Sequence, residues 1–215
     1  MKVELTALEA RLIGCLIEKE LTTPDQYPLS HNSLAAAVNQ KTNRDPVMEL
    51  AEAEVVAVLD GLQKKHLVYE KSGFGSRVMK YQHRLVGTEF SEIKATPQER
   101  GILCVMLLRG PQTIAELRTR TNRLCEFADL AEVETALNEM MARDSGPLVA
   151  RLPRSRGERE SRYMHLLSGP IESAPEPETM SAAVPHADPD LAARVATLER
   201  ELEALRREVA ALRGA

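Results

Sequence analysis

The sequence predicts a mainly α-helical protein with small β-hairpins (an α+β class). It reads as two tandem winged-helix domains, a disordered linker and a C-terminal coiled-coil helix. Three observations predict this. The stretch Leu50-Ala51-Glu52-Ala53-Glu54-Val55, continuing through Leu59, Leu62 and Leu67-Val68, returns about eighty residues later as Leu130-Ala131-Glu132-Val133, Leu137, Met140 and Leu148-Val149. Each copy follows a short helical segment ending in Asn-Arg (Asn43-Arg44, Asn122-Arg123) and leads into strand-like runs around a polar, glycine-containing turn. Helix, helix, helix, hairpin, twice over, is too long a period and too few copies for a solenoid, so the repeat marks two copies of one small domain. The third observation is a heptad stripe near the C-terminus.

The first domain, residues 1–90, opens at Thr6-Ala7-Leu8-Glu9, a capping box in which the Thr hydroxyl accepts an end N–H and Glu9 reaches back. Leu8, Leu12 and Leu16 recur at i, i+4 and i+8, predicting a helix to about Glu20 with one buried stripe. Two prolines between Thr22 and Leu29 make that segment a loop or short edge strand. Helices follow from Asn32 to Asn39 and from Glu52 to His66, the latter burying Val55, Leu59 and Leu62. The runs 68–71 and 78–84 alternate across Ser72-Gly73-Phe74-Gly75-Ser76 as a hairpin should.

The second domain, residues 91–168, repeats this with sharper punctuation. Thr96-Pro97-Gln98-Glu99 joins an N-cap, a Pro at the first helical position and a capping Glu, and Gly110-Pro111 ends that helix. Thr113 to Glu116 and Asp129 to Glu132 mark two further helix starts by the same cap spacing. Asp144-Ser145-Gly146-Pro147 stops the last helix, and 148–152 with 163–167 supply the hairpin strands.

Composition limits the function. Apolar residues at 43% suffice for a core in each domain, whereas aromatics at 3% with no Trp make a stacking platform for single-stranded nucleic acid an unsuitable reading. No apolar run is long enough to span a bilayer, and the N-terminus leads straight into a helix, so a cytoplasmic protein without a membrane role is expected. Cys15, Cys104 and Cys125 lack any Cys-x-x-Cys spacing and read as reduced thiols. The five histidines are dispersed, and no phosphate-binding glycine loop or nucleophile elbow occurs, so no metal, cofactor or enzymatic activity is expected.

The segments Asn39-Gln40-Lys41-Thr42-Asn43-Arg44-Asp45-Pro46-Val47, Ala150-Arg151-Leu152-Pro153-Arg154 and Arg162-Tyr163-Met164-His165-Leu166-Leu167 closely resemble those of the YceH-like bacterial proteins. The resemblance runs from about residue 1 to 168. It implies a tandem winged-helix fold and brings no established activity, so it assigns no functional residue.

From Gly169 to Asp190 the chain carries five acids and no Lys or Arg among repeated prolines, the signature of a disordered linker. Such a linker reaches about 25 Å as a coil and roughly 70 Å fully extended. Beyond it, in residues 191–215, Leu191, Val195, Leu198, Leu202, Leu205, Val209 and Leu212 alternate spacings of four and three. Val at a and Leu at d favour two parallel strands, and the cross-strand pairs Arg194–Glu199, Glu201–Arg206 and Glu208–Arg213 are all attractive. A homodimer is expected; docking of this stripe onto the protein's own domains or another partner is the alternative.

Two functions of different classes remain. A winged helix most often lays its third helix in the major groove, with Arg, Lys, Asn or Gln outward. Here the 100° step turns Ala53, Ala57, Asp60, Gly61 and Lys64 outward in one copy and Ala131, Thr135, Asn138, Glu139 and Ala142 in the other. That is a thin surface for DNA. Small residues at Ala53, Ala57 and Gly61 would instead admit another helix, making a protein interface. The cations gather in the second wing, at Arg151, Arg154, Arg156, Arg159 and Arg162, where phosphates are contacted in related folds. Lys41 and Arg44, and Arg118, Arg120 and Arg123, extend that edge if they share its face. The first reading is therefore a duplex-DNA-binding regulatory protein held by its second wing. The second is a winged-helix protein-interaction module with a dimerising coiled coil.

Overall fold

A computed structural model describes residues 3–71, 78–87, 90–154 and 160–169. Residues 1–171 form one compact unit. The linker beyond Gly169 and the heptad residues Leu191, Val195, Leu198, Leu202, Leu205, Val209 and Leu212 lie outside the described residues, as do Arg156 and Arg159.

The unit is a mixed helical and β structure. Among the described residues its first half runs α1 (Ala7–Thr22), a 3₁₀ turn (Pro24–Gln26), β1 (Leu29–Ser30), α2 (His31–Val38), α3 (Glu52–Lys64), β2 (Val68–Lys71) and β3 (Lys80–His83). Its second half runs α4 (Pro97–Arg109), α5 (Ile114–Arg120), α6 (Leu130–Met141), β4 (Val149–Arg151) and β5 (Tyr163–His165). An antiparallel sheet of order β1-β3-β2 serves the first half and the pair β4-β5 the second. Leu29 pairs with Tyr81 and Val68 with His83; in the second hairpin Val149 pairs with His165.

The caps form as the spacing requires. Glu9 N donates to Thr6 Oγ1 at 3.2 Å and Thr6 N to Glu9 Oε2 at 2.7 Å. The reciprocal bonds recur at Thr96–Glu99 and Thr113–Glu116. At the far end of α3, His66 N donates to Gln63 O and Leu67 N to Leu62 O, both at 2.9 Å. That is a Schellman turn, and it puts His66 at φ 59° in the left-handed region where glycine is usual.

One tertiary contact occurs twice and ties the repeat to structure. Lys65 Nζ, just past α3, donates to the capping carboxylate Glu9 at 2.7 Å and to Glu4 O at 2.9 Å. Arg143, just past α6, donates to both oxygens of Glu99 at 2.8 and 2.9 Å and to Lys94 O. In each half the cap of the first helix is thus clamped to the exit of the third.

The single buried stripe expected on α1 is corrected: residues 9–18 are buried on every side. The reason is α4, which packs along α1 and is itself buried from Gly101 to Leu108. Close approach depends on Gly14, where an added Cβ would stand 2.9 Å from Leu108 Cδ2 and 3.0 Å from Leu107 Cβ. The two halves are joined further by Leu5 N to Leu167 O at 2.7 Å, Asp45 N to Leu108 O at 3.0 Å and Arg100 Nη1 to Glu20 Oε2 at 3.3 Å.

Candidate nucleic-acid and protein interfaces

The cations singled out in the sequence divide sharply by what holds them. Arg44 is corrected from an exposed contact to a buried one. Asn43 takes φ 59°, a left-handed turn that Asn tolerates, and Arg44 then enters the core with its side chain 0% exposed. Its Nη2 donates to Glu18 Oε2 at 2.6 Å, its Nη1 to Glu18 Oε1 at 3.0 Å and its Nε to Ala37 O at 3.2 Å. Arg123, its counterpart in the second Asn-Arg, reaches across and donates to the same Glu18. Arg109 Nη2 completes the cluster on Asn43 Oδ1 at 2.9 Å. Burial pushes the Glu18 carboxyl up, but the hydrogen bonds and charge of Arg44, and then Arg123, outweigh it and hold the group below the usual 4.5.

Glu18 is the residue that the sequence reading missed. A Glu two positions before Glu20 at the end of an apolar run carries no sequence mark of the two arginines that meet it.

Other cations are also held internally. Arg120 pairs with Glu116 at 3.4 Å and donates to Gln112 Oε1. Arg162 Nη1 donates to Glu116 Oε2 at 2.8 Å and to Pro111 O at 3.2 Å. Glu116 thereby caps α5 and ties the second hairpin to it. Arg118 donates to Asn122 Oδ1 at 2.7 Å and lines an open hollow of about 630 Å³ with Gln98, Cys125, Phe127 and Glu132.

Lys41, Arg151 and Arg154 remain exposed. Arg151 and Arg154 follow one another out along the second hairpin, and Arg154 Nε donates only to the hydroxyl of Ser161, at 3.4 Å. Neither is paired with an acid among the described residues.

The outward faces of α3 and α6 match their spacing, with one exception. Ala53, Ala57, Asp60 and Lys64 are exposed, as are Ala131, Thr135, Asn138, Glu139 and Ala142. Gly61 is half-buried, because Glu9 Oε1 stands 3.4 Å from where its Cβ would be, so it is withdrawn from the outer surface. Two larger apolar residues join these faces: Val56 at 43% exposure and Leu130 at 50%. Acids surround them, with Glu52, Asp60, Asp129 and Glu134 all exposed.

Thiol and imidazole chemistry is muted. Burial raises the Cys15 and Cys125 thiols to about 11 and Cys104 well above its usual value, which leaves them protonated and weakly nucleophilic. Among the described residues no group of three or more His, Cys, Asp or Glu could hold a metal ion, and no helix is long and apolar enough to cross a membrane.

The elements and the doubled clamp define a mixed α/β protein whose two halves repeat the same order of three helices and a hairpin. The chain belongs to the family described as "Protein of unknown function, DUF480", whose model matches residues 5–158. It is 55% identical over 213 residues to a UPF0502 protein of Vibrio parahaemolyticus, covering 99% of this chain and 96% of the relative. It is 52% identical over 212 residues to a UPF0502 protein of Serratia proteamaculans, covering 99% and 97%. A Vibrio campbellii UPF0502 protein is 61% identical over 172 residues, 80% of this chain and 79% of the relative.

Proposed function

We propose that each half of the unit is a winged helix and that the protein is a non-enzymatic DNA-binding regulator which grips phosphates through its second hairpin. The observation that carries this reading is the pair Arg151 and Arg154, exposed and without an acid partner among the described residues, beside an Arg162 that is paired with Glu116. A cation left unpaired on a projecting hairpin is free to replace condensed counterions on a phosphate backbone, and release of those ions drives binding. Phosphate contacts fix position without reading bases. The acid-bearing outer faces of α3 and α6 suit that division, because they add little to sequence readout. In this proposal the heptad residues 191–213 pair two copies, so that two hairpins act on one duplex.

A second reading rests on Val56 and Leu130. Exposed aliphatic side chains among acids and alanines on α3 and α6 fit a protein partner better than a major groove.

Titration of the full chain with labelled duplex at rising salt tests the first reading. Three to five contacts from the second hairpin give a log–log slope of roughly −3 to −4.5. Arg151→Ala with Arg154→Ala should flatten it by about 1.8 and weaken every duplex alike. Absence of binding at low salt would remove the DNA reading and leave the protein interface.

A further inference from the structure

The first hairpin carries a cationic face that the sequence reading passed over. In the β1-β3-β2 sheet, Leu29, Tyr81 and Glu70 form one cross-strand row, and Ser30, Lys80 and Lys71 form the next. Because side chains alternate across a strand, these two rows point to opposite faces. Leu29 is buried at 3% exposure, so its row is the inner one and the lysine row the outer. Gln82 and Tyr69, directly paired, share that outer face, with Tyr69 39% exposed.

Lys71 and Lys80 therefore sit directly opposite one another, both exposed and neither paired with an acid among the described residues. Like charges in such a pair destabilise a sheet, and facing strands lie only about 4.8 Å apart. The neighbouring acid on β2 is turned away. Glu70 pairs directly with Tyr81 in the inner row and accepts from Gln63 Nε2 at 3.0 Å. Along β3 the next cation, Arg84, donates to the carbonyl of Phe90 at 3.2 Å rather than to an acid.

We propose that the outer face of the first hairpin, Tyr69, Lys71, Lys80 and Gln82, is a second phosphate-binding surface for a nucleic-acid backbone. The proposal rests on the nucleic-acid reading above but not on the second hairpin. A polyanion relieves the Lys71–Lys80 repulsion. Tyr69 adds a ring for a sugar or base edge, and Gln82 a neutral donor.

The test uses the full chain and its Lys71→Ala/Lys80→Ala variant, with Arg151→Ala/Arg154→Ala in parallel. Readouts are duplex affinity against salt, affinity for a single strand and for vesicles of anionic phospholipid, and melting temperature. The lysine variant should melt at the same temperature or higher, while its duplex slope flattens by about 1.8, two contacts at about 0.9 each. A variant that melts lower has lost a structural role, and one with an unchanged slope has lost no contact; either result overturns the proposal. If only the arginine variant loses affinity, this surface is refuted while the DNA reading stands. If the intact chain binds neither duplex nor single strand, both fall. Binding to vesicles alone would overturn the nucleic-acid assignment.

Discussion

Glu18 shows how a residue can decide what its neighbours are free to do. By taking up Arg44 twice and Arg123 once, it buries one cation, draws an exposed second one across to the first half, and locks the α2–α3 loop to α1. Because its folded carboxyl is held low, the stabilisation is present above the unfolded value near 4.5 and is lost as pH falls through the lowered folded value. His165 acts earlier in an acid titration. Burial lowers its imidazole from 6.5 to about 4, and its Nδ1 has no hydrogen-bond partner. The unfolded chain therefore binds a proton that the folded one refuses. Stability should fall by about 3 kcal/mol as pH drops from 6.5 to 4. Denaturant unfolding across that range checks it: His165→Leu should flatten the dependence there, and an unchanged slope would mean the ring is not held neutral. None of this burial was legible from the residues themselves, since a lone Glu or His on a chain carries no mark of what will cover it.

Among elements, α1 and α4 carry the fold. Their starts were legible because a Thr-x-x-Glu box is local physics, and both boxes form. Their burial on all sides was half legible: the run Ile102-Leu103-Cys104-Val105-Met106-Leu107-Leu108 has no polar face, whereas Arg11 and Glu18 disguise α1 as amphipathic. Arg11 is 2% exposed and satisfies only Nη2, on Pro46 O at 2.7 Å. The contact between the helices depends on Gly14. In an open helix Gly→Ala would add about 1 kcal/mol of stability. Here the methyl meets Leu107 and Leu108, so Gly14→Ala should cost about 1–3 kcal/mol and lower the melting of both halves together. A stabilised variant, or one in which only one half melts early, would mean that α1 and α4 part easily.

For the whole molecule, the repeat was legible and its joint was not. Both third helices and both hairpins follow from spacing within about eighty residues, but a contact such as Arg123 to Glu18 spans 105 positions and leaves no periodic trace. The same limit applied to the interface. Five arginines crowding one wing looked alike in sequence, yet Arg162 is engaged by Glu116 while Arg151 and Arg154 project. The proposed pairing of two copies rests on the heptad spacing of residues 191–213. Light scattering should give a dimer for the full chain and a monomer after truncation at Pro170; a truncated dimer would place the interface in the unit itself.

The claim that hairpins and not third helices meet nucleic acid is tested most directly by amide chemical shifts of the isotope-labelled chain, 23.8 kDa, during titration with duplex. The account predicts shifts at 150–154 and at 69–71 and 80–84 that vanish at high salt, with 53–60 and 131–139 quiet. Shifts centred on Ala53, Ala57, Ala131 and Asn138 while the hairpins stay still would contradict it.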